Sequence, residues 1–241
     1  MDIQIRNLVK RFGENTAVDI DTFDIHKGDM LGLVGNNGAG KTTLFRLMLD
    51  LLEADEGEVL LSYEGAASPI KPSQNEDWKS VTGAYVDEAF LIEFLTPEEY
   101  FQFIGQANRM TQVQTEEQLA LYEHFMQGEV LGQKKLIRDL SAGNKQKVGI
   151  IGALLARPEL VILDEPFNFL DPSSQIILKR LLTEYHQQTG ATIIISSHNL
   201  QHTVEISTRI ALLEKGHIVK DLMNEAGCAE KELEEYFSID A

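Results

Sequence analysis

The sequence predicts an α/β fold built around a mainly parallel sheet that is covered by helices. Short apolar runs typical of buried strands alternate with longer segments of helical periodicity, which is the pattern of a parallel sheet with crossover helices. A glycine-rich turn joins one of these strands to the helix that follows it. With 43% hydrophobic residues among 241, the chain is long enough to bury a sizeable core. These features exclude a disordered, fibrous or small disulfide-stapled protein.

The strands are recognised by alternating or continuous apolar residues between turn residues. They are predicted over residues 3–12, 18–25, 30–34, 58–63, 81–86, 160–163 and 192–195. Residues 66–77 are mostly polar and contain two prolines, so we expect a loop there.

Helices are predicted where apolar residues recur at three- and four-residue spacing. The first spans residues 41–52, where one face carries Leu44, Leu47, Met48, Leu51 and Leu52. Thr96 and Glu99 have the spacing of a capping box around Pro97, which indicates a helix start. Helical spacing continues from there, with breaks, to about residue 127.

A further helix is predicted over residues 173–186. The helical stretch at roughly 90–140 interrupts the succession of strands, so we expect it to be a helical subdomain inserted in the sheet core. The whole chain, 1–241, is expected to form a single domain.

The chain is strongly acidic, with 21 Lys and Arg against 38 Asp and Glu and a formal net charge of −17. Such a surface repels nucleic-acid phosphates and anionic lipid headgroups. No run approaches the roughly 18 apolar residues of a membrane span, and the first residues lack the order of a signal peptide. The single Cys228 fits a reducing compartment. We expect a cytoplasmic protein that binds no nucleic acid and does not insert into a membrane.

Residues 35–42 carry the strongest motif, Gly-Asn-Asn-Gly-Ala-Gly-Lys-Thr, which satisfies the phosphate-loop pattern G-x-x-x-x-G-K-[ST]. A predicted strand precedes it and a predicted helix follows it, as this pattern requires. Its glycines let backbone N–H groups surround phosphate oxygens, and the helix N-terminus adds a favourable dipole. Lys41 is expected to reach the β- and γ-phosphates, and the Thr42 hydroxyl to ligate Mg²⁺.

A second motif is the apolar run 160–163 followed by Asp164 and Glu165. A strand that ends in these carboxylates would place Asp164 beside Thr42, where it supports Mg²⁺. Glu165 would then polarise or deprotonate an attacking water. An acidic pair after a strand is by itself more often a solvated strand end, but the phosphate loop at the expected chain separation favours the catalytic interpretation.

The sequence resembles the ATP-binding-cassette (ABC) ATPases over nearly the whole chain. Residues 140–144, Leu-Ser-Ala-Gly-Asn, are similar to the family signature, usually Leu-Ser-Gly-Gly-Gln, and residues 168–171, Asn-Phe-Leu-Asp, to the D-loop. His198 stands at the switch-histidine position, Phe12 matches the aromatic that stacks on adenine, and Glu88 falls where the family commonly has the Q-loop glutamine. The resemblance implies a P-loop NTPase core, an N-terminal antiparallel β subdomain and an inserted α-helical subdomain.

The resemblance also implies which residues form the sites. The residues expected to bind ATP are Phe12, Gly35, Asn36, Asn37, Gly38, Ala39, Gly40, Lys41, Thr42, Thr43, Ser141 and Gly143. The catalytic residues are expected to be Glu165, His198 and Lys41, and His198 is expected to sense the γ-phosphate. The Mg²⁺ ligands are expected to be Thr42, Asp164 and Glu88.

Several of these residues have an alternative interpretation that does not depend on the family. Ser141 has the chemistry of a helix N-cap, His198 that of a core or surface histidine, and Phe12 that of a core aromatic at a strand end. Trp78 and Cys228 belong to no motif, and both are predicted to be structural.

Three positions depart from the family pattern. Ala142 replaces a glycine where backbone approaches phosphate, so its methyl could crowd the nucleotide or restrict the turn. Asn144 is one methylene shorter than the usual glutamine. Glu88 adds a negative charge near Mg²⁺, where a carboxylate could ligate directly. These departures bear on the rate of turnover more than on nucleotide binding.

As the resemblance implies, the expected function is that of an ATPase subunit driving a membrane transporter, with export favoured over import. Two such subunits, identical or sister chains, would sandwich two ATP molecules, so that Lys41 of one protomer faces Ser141 of the other. Separate transmembrane permease subunits would dock near Glu88 and residues 90–103, which would hold the ATPase on the inner face of the cell membrane. Two alternatives stay open: a soluble ABC ATPase that energises an assembly such as an iron–sulfur scaffold, and a nucleotide-gated module that hydrolyses ATP slowly.

Overall fold

The computed structural model describes residues 1–66, 68–224, 229 and 232–233. The strands are β1 (Asp2–Phe12), β2 (Asn15–Ile25), β3 (Met30–Val34), β4 (Glu56–Ser62), β5 (Thr82–Tyr85), β6 (Leu160–Leu163), β7 (Thr192–Ser197), β8 (Arg209–Glu214) and β9 (His217–Met223). The helices are α1 (Lys41–Met48), α2 (Pro97–Ala107), α3 (Gln112–Ala120), α4 (Glu123–Met126), α5 (Ala142–Leu154), α6 (Pro172–Thr189) and α7 (Leu200–Val204).

The strands form two sheets, and together they confirm the predicted α/β fold. An antiparallel sheet near the N-terminus has three strands in the order β2-β1-β4, and a second sheet has six in the order β5-β6-β7-β3-β8-β9. All neighbours in the larger sheet are parallel except β8 and β9. The parallel strands β3, β6 and β7 are buried along their whole length, as expected for strands covered on both faces.

The order of the parallel strands brings the chemistry-bearing residues to one edge of the sheet. Gly35 follows the carboxyl end of β3, Asp164 that of β6, and His198 that of β7. These three strands are adjacent in the sheet. In open α/β sheets the carboxyl ends of the strands are where ligands bind.

The stretch at roughly 90–140, for which the sequence predicts a helical insertion, contains α2, α3 and α4 between β5 and β6. The first of these helices begins at a complete capping box, in which the Thr96 side chain accepts from the Glu99 N–H and the Glu99 carboxylate accepts from the Thr96 N–H. Phe101 and Phe125 from the insertion are buried in the same apolar cluster as Leu154 and Leu163. The insertion therefore packs against the parallel sheet and its covering helices.

The structure corrects the predicted end of the first helix. The prediction extended it to Leu52, but α1 ends at Met48. Asp50 takes a left-handed conformation with φ 53°, the Leu51 N–H donates to the Arg46 carbonyl, and the Asp50 N–H donates to the Leu47 carbonyl. These bonds form a Schellman motif, which satisfies the last carbonyls and stops the helix. Of the two leucines after it, Leu52 packs on the core from the following turn, whereas Leu51 is exposed.

Two elements near the C-terminus were not predicted from the sequence. The hairpin β8–β9 and the short helix α7 were missed, although Lys215 and Gly216 form a turn between the two strands. Trp78 is buried, and its indole N–H donates to the Pro72 carbonyl at 3.2 Å, which agrees with a structural role. Cys228 lies outside the described residues.

Candidate functional site

A cleft of about 310 Å³ lies at the carboxyl edge of the larger sheet. Its lining consists of Phe12, Asn15, Ala17, Asn37, Gly38, Ala39, Gly40, Lys41, Thr42, Thr43 and Glu165. Most of the residues predicted to bind ATP therefore meet around one cavity.

The loop between β3 and α1 depends on glycines at two positions. Gly38 and Gly40 have φ of 83° and 109°, a region that other residues rarely adopt. A Cβ on Gly40 would also lie 2.3 Å from the Ala17 carbonyl oxygen. No side chain caps the N-terminus of α1, which begins at Lys41. Its first N–H groups and the helix dipole are therefore directed at the cleft, as an anion-binding site requires.

Lys41 is buried, and its ammonium is held by backbone carbonyls. Its Nζ donates to the Gly35 carbonyl at 2.6 Å and to the Asn36 carbonyl at 3.3 Å, and it lies 3.4 Å from Glu165 Oε1. The side chain is only 6% exposed. Because a buried ammonium needs polar partners, phosphate oxygens could compensate the charge of Lys41 in place of these carbonyls.

Thr42 and Asp164 meet as the sequence predicts. The Thr42 hydroxyl donates to Asp164 Oδ2 at 2.5 Å, and the Ser196 hydroxyl donates to Asp164 Oδ1. Burial raises the pKa of Asp164, and the hydrogen bonds from Ser196 and Thr42 oppose that rise. No group of three or more His, Cys, Asp or Glu residues able to hold a metal occurs in the described part of the chain. One hydroxyl and one carboxylate fit Mg²⁺, which proteins usually bind through one or two carboxylates together with substrate phosphates.

Glu165 is held in a strained backbone conformation. Its φ is 47°, a left-handed value that costs a residue with a side chain roughly 1 to 3 kcal/mol. Its N–H donates to the Ser196 hydroxyl at 2.8 Å, and its carbonyl accepts from Gln146 Nε2 at 3.2 Å. These bonds fix the backbone so that the carboxylate lies between Lys41 and His198, whose Nδ1 is 2.8 Å from Glu165 Oε2.

The two signature residues predicted to bind ATP are not part of this cleft. Ser141 caps α5 by accepting the Asn144 N–H at 3.2 Å. Gly143 packs against the D-loop, where a Cβ would lie 2.8 Å from the Phe169 carbonyl oxygen. Ala142, the departure from the family pattern, has an ordinary helical backbone without a positive φ, so its methyl does not strain the turn.

The D-loop ends in a well-formed helix cap. Asp171 accepts hydrogen bonds from the backbone N–H groups and the hydroxyls of Ser173 and Ser174. These bonds hold the pKa of Asp171 well below its usual range. Phe169, two residues earlier, has φ 63° and is 71% exposed, so the loop carries a solvent-exposed aromatic side chain.

Phe12 and Glu88 have different positions relative to the cleft. Phe12 lies on its rim, half exposed, with Lys10 Nζ 5.6 Å from the ring centroid. Glu88 is not among the lining residues, and its Oε1 accepts from Lys145 Nζ at 2.5 Å. Ligation of Mg²⁺ by Glu88 stays a prediction.

Three residues of the site were not found from the sequence. Ser196 and Gln146 position the acidic pair, and Asp87 binds Arg46 of α1 at 3.1 Å. Ser196 lies in the apolar run of β7, where the only signal was a pair of serines at the end of a buried strand.

A phosphate loop beside an acidic pair at the carboxyl ends of parallel strands defines a P-loop nucleotide-binding protein. Comparison with known proteins narrows this class: residues 18–168 match the family described as ABC transporter. The chain belongs to the ABC transporter ATP-binding family.

Its relatives include ATP-binding proteins of different transport systems. The sulfate/thiosulfate import ATP-binding protein CysA of Xanthomonas campestris is 33% identical over 226 residues, covering 90% of this chain and 63% of the relative. The bacitracin transport ATP-binding protein BcrA of Enterococcus faecalis is 31% identical over 224 residues, covering 91% of this chain and 68% of the relative. The chain thus spans less than two thirds of the length of CysA.

Solved structures share the fold. An ATP-binding subunit of an ABC transporter superimposes with a TM-score of 0.81 at 26% identity, covering 97% of this chain and 94% of that one. The dimeric ATP-binding cassette MJ0796, bound to ADP and Pi, has a TM-score of 0.79 at 22% identity and covers 92% of this chain and 99% of that one. No helix in the described residues is long and apolar enough to cross a membrane.

Proposed function

We propose that this chain binds and hydrolyses ATP as the motor subunit of a membrane transporter. The observation that carries the proposal is the position of Glu165, whose carboxylate lies 3.4 Å from Lys41 Nζ and 2.8 Å from His198 Nδ1 at the phosphate-binding cleft. A carboxylate held there can orient and deprotonate a water next to a γ-phosphate that Lys41 binds.

The remaining residues bind and orient the nucleotide. Lys41 exchanges its backbone carbonyls for phosphate oxygens, and the free N–H groups at the start of α1 bind the same phosphates. Phe12 stacks on the base at the rim of the cleft. Thr42 and Asp164 hold Mg²⁺, which neutralises charge on the phosphate oxygens when it is bound. His198 orients Glu165 and senses the γ-phosphate.

A second protomer completes the site. Ser141 and Gly143 lie at an N-terminus of α5 that is not part of their own chain's cleft, and a partner's cleft would place them against its γ-phosphate. The dimeric form of the related cassette MJ0796 supports such an arrangement. ATP binding then closes the dimer and hydrolysis reopens it. The second protomer is an identical chain or a sister ATPase chain.

The transporter role requires permease subunits that dock on the ATPase from the membrane. Phe90, Phe94 and Phe103 are half or more exposed in and beside the helical insertion, and we propose that this surface receives the permease. The chain would thereby lie on the inner face of the cell membrane without entering it. We propose export as the direction, because a compact chain with a glutamate at the Q-loop position resembles the ATPase subunits of small export systems. ATP-dependent uptake of substrate by inside-out vesicles is expected for an exporter, and ATP-dependent release would contradict it.

The alternative is a soluble ABC ATPase that energises a macromolecular assembly. Copurification from detergent-solubilised membranes separates the two: a stable complex with a multi-span membrane protein is expected. Copurification with a soluble assembly alone would contradict the transporter role. Steady-state phosphate release by the purified chain, with Glu165→Gln as the inactive control, separates an ATPase from a nucleotide-gated module.

A further inference from the structure

The segment after β5 binds the two helices α1 and α5 through adjacent carboxylates. Asp87 accepts from Arg46 on α1 at 3.1 Å, and Glu88 accepts from Lys145 on α5 at 2.5 Å. The helix α1 carries the chain's own phosphate loop, whereas α5 begins at the signature. Two neighbouring residues therefore connect elements that serve different nucleotide sites in a dimer.

The cation on the α5 side is the more buried of the two. The Lys145 side chain is 14% exposed and Glu88 is 45% exposed, whereas both partners of the Arg46–Asp87 pair are about 40% exposed. The Lys145 N–H donates to the Ser141 carbonyl at 2.9 Å, so Lys145 belongs to the first turn of the signature helix. The bond between Glu88 and the Lys145 ammonium therefore restrains the turn that contains Ser141 and Gly143.

The same segment is fixed at its other end as well. The Arg138 N–H donates to the Glu93 carbonyl at 3.0 Å, and the Ile137 N–H donates to the Leu95 carbonyl at 2.8 Å. These backbone bonds join the entrance of the helical insertion to its exit, directly before Ser141. The stretch 88–95 is thus attached to the signature region from both sides.

We propose that Glu88 is a positioning residue: its bond to Lys145 sets the signature turn in the orientation that a partner's nucleotide requires. The proposal rests on the proposed function, because it assumes that the signature acts across a dimer. It assigns Glu88 to the signature helix, whereas the sequence predicts that it ligates Mg²⁺. The two roles differ in their partner, since the Glu88 carboxylate binds Lys145 and does not line the cleft that contains Thr42.

The test measures ATP-dependent dimerisation in a Glu165→Gln background, where hydrolysis does not obscure the equilibrium. Glu88→Gln and Lys145→Met should each raise the ATP concentration for half-maximal dimerisation about three- to fivefold, the range of a partly exposed ion pair. The double variant should be no worse than either single one, as for two residues that act as a unit. Lys145→Arg retains a cation and should dimerise like the parent.

Glu93→Gln is the matched control, because Glu93 lies 3.9 Å from the same ammonium and should have an effect below twofold. Nucleotide affinity of the monomer and the Mg²⁺ concentration for half-maximal binding should not change in any variant. Parental dimerisation by Glu88→Gln and Lys145→Met, or additive effects in the double variant, would overturn the proposal. A raised Mg²⁺ concentration for half-maximal binding in Glu88→Gln alone would contradict the positioning role and indicate that Glu88 ligates Mg²⁺. A parent that does not dimerise with ATP would instead refute the proposed function, and this proposal with it.

Discussion

Replacement of Ser196 by alanine removes the hydroxyl that binds the Asp164 carboxylate and the Glu165 backbone N–H. The Ser196 hydroxyl is fully buried; it donates to Asp164 and accepts from the Glu165 N–H. A hydrogen bond to a charged group contributes about 1.5 to 3 kcal/mol, and an unpaired buried N–H adds a further cost. We expect the free energy of unfolding to fall by about 2 to 3 kcal/mol. For a chain of this size the melting temperature should fall by about 4 to 12 °C.

The loss should depend on pH in a defined direction. Burial raises the pKa of Asp164 above the value of 3.8 expected for an unfolded chain, and the Ser196 hydrogen bond limits that rise. Stability is therefore lost as pH rises from 3.8 to the pKa of the folded state. Without Ser196 the folded pKa is higher and this interval is wider, so the deficit relative to the parent grows with pH.

The assay is urea unfolding of parent and variant at several pH values on both sides of that interval. Ser197→Ala is the matched control, since the Ser197 hydroxyl is also buried but, within the described part of the chain, its hydrogen bonds are to the backbone of Asn199. The control should be destabilised by an amount that does not change with pH. A Ser196→Ala deficit that is equally independent of pH, or that shrinks as pH rises, would refute this account of Asp164.

Three further changes test the site. Lys41→Ala should lower Mg-ATP affinity about 10- to 100-fold, the value of one or two charge-assisted hydrogen bonds, and equal affinity by calorimetry would remove Lys41 from the phosphate site. Gly143→Ala should lower the free energy of unfolding by about 1 to 3 kcal/mol, because its Cβ would meet the Phe169 carbonyl at 2.8 Å. Thermal unfolding tests this. The control Ala142→Gly, at the neighbouring position, should change the free energy of unfolding by less than about 1 kcal/mol. Phe12→Ala should weaken Mg-ADP binding about tenfold through lost base stacking, and unchanged affinity by calorimetry would leave Phe12 a rim residue without that role.

The sheet core could be predicted because its strands are short, continuous apolar runs. The predicted bounds of β3 and β6 agree with Met30–Val34 and Leu160–Leu163, since burial on both faces leaves no polar residue inside them. The predicted end of α1 was wrong because Leu51 and Leu52 continue the apolar pattern of the helix, whereas the helix stops at the left-handed Asp50. Local pattern does not reveal a left-handed residue that is polar and not glycine.

The phosphate loop and the acidic pair could be predicted from motifs that combine several residues at fixed spacing. Ser196 could not, because its role depends on how β6 and β7 pair: Leu163 lies opposite Ile195, which places Ser196 beside Asp164. The binding of Glu88 to Lys145 depends in the same way on packing between segments that are distant along the chain. Asp87 and Glu88 are adjacent in the sequence, but only the fold shows that they bind different helices.

In the proposed function, Glu165 activates water for ATP hydrolysis in a dimer closed by ATP. Glu165→Gln keeps the size of the side chain and removes the carboxylate, while Lys41, Thr42 and Asp164 remain. Measured with Mg-ATP, the rate of phosphate release should fall about 10²- to 10⁴-fold, affinity should hold within a few-fold, and size-exclusion chromatography should show a stable dimer. Hydrolysis at the parental rate would contradict the claim, because another residue would then activate the water.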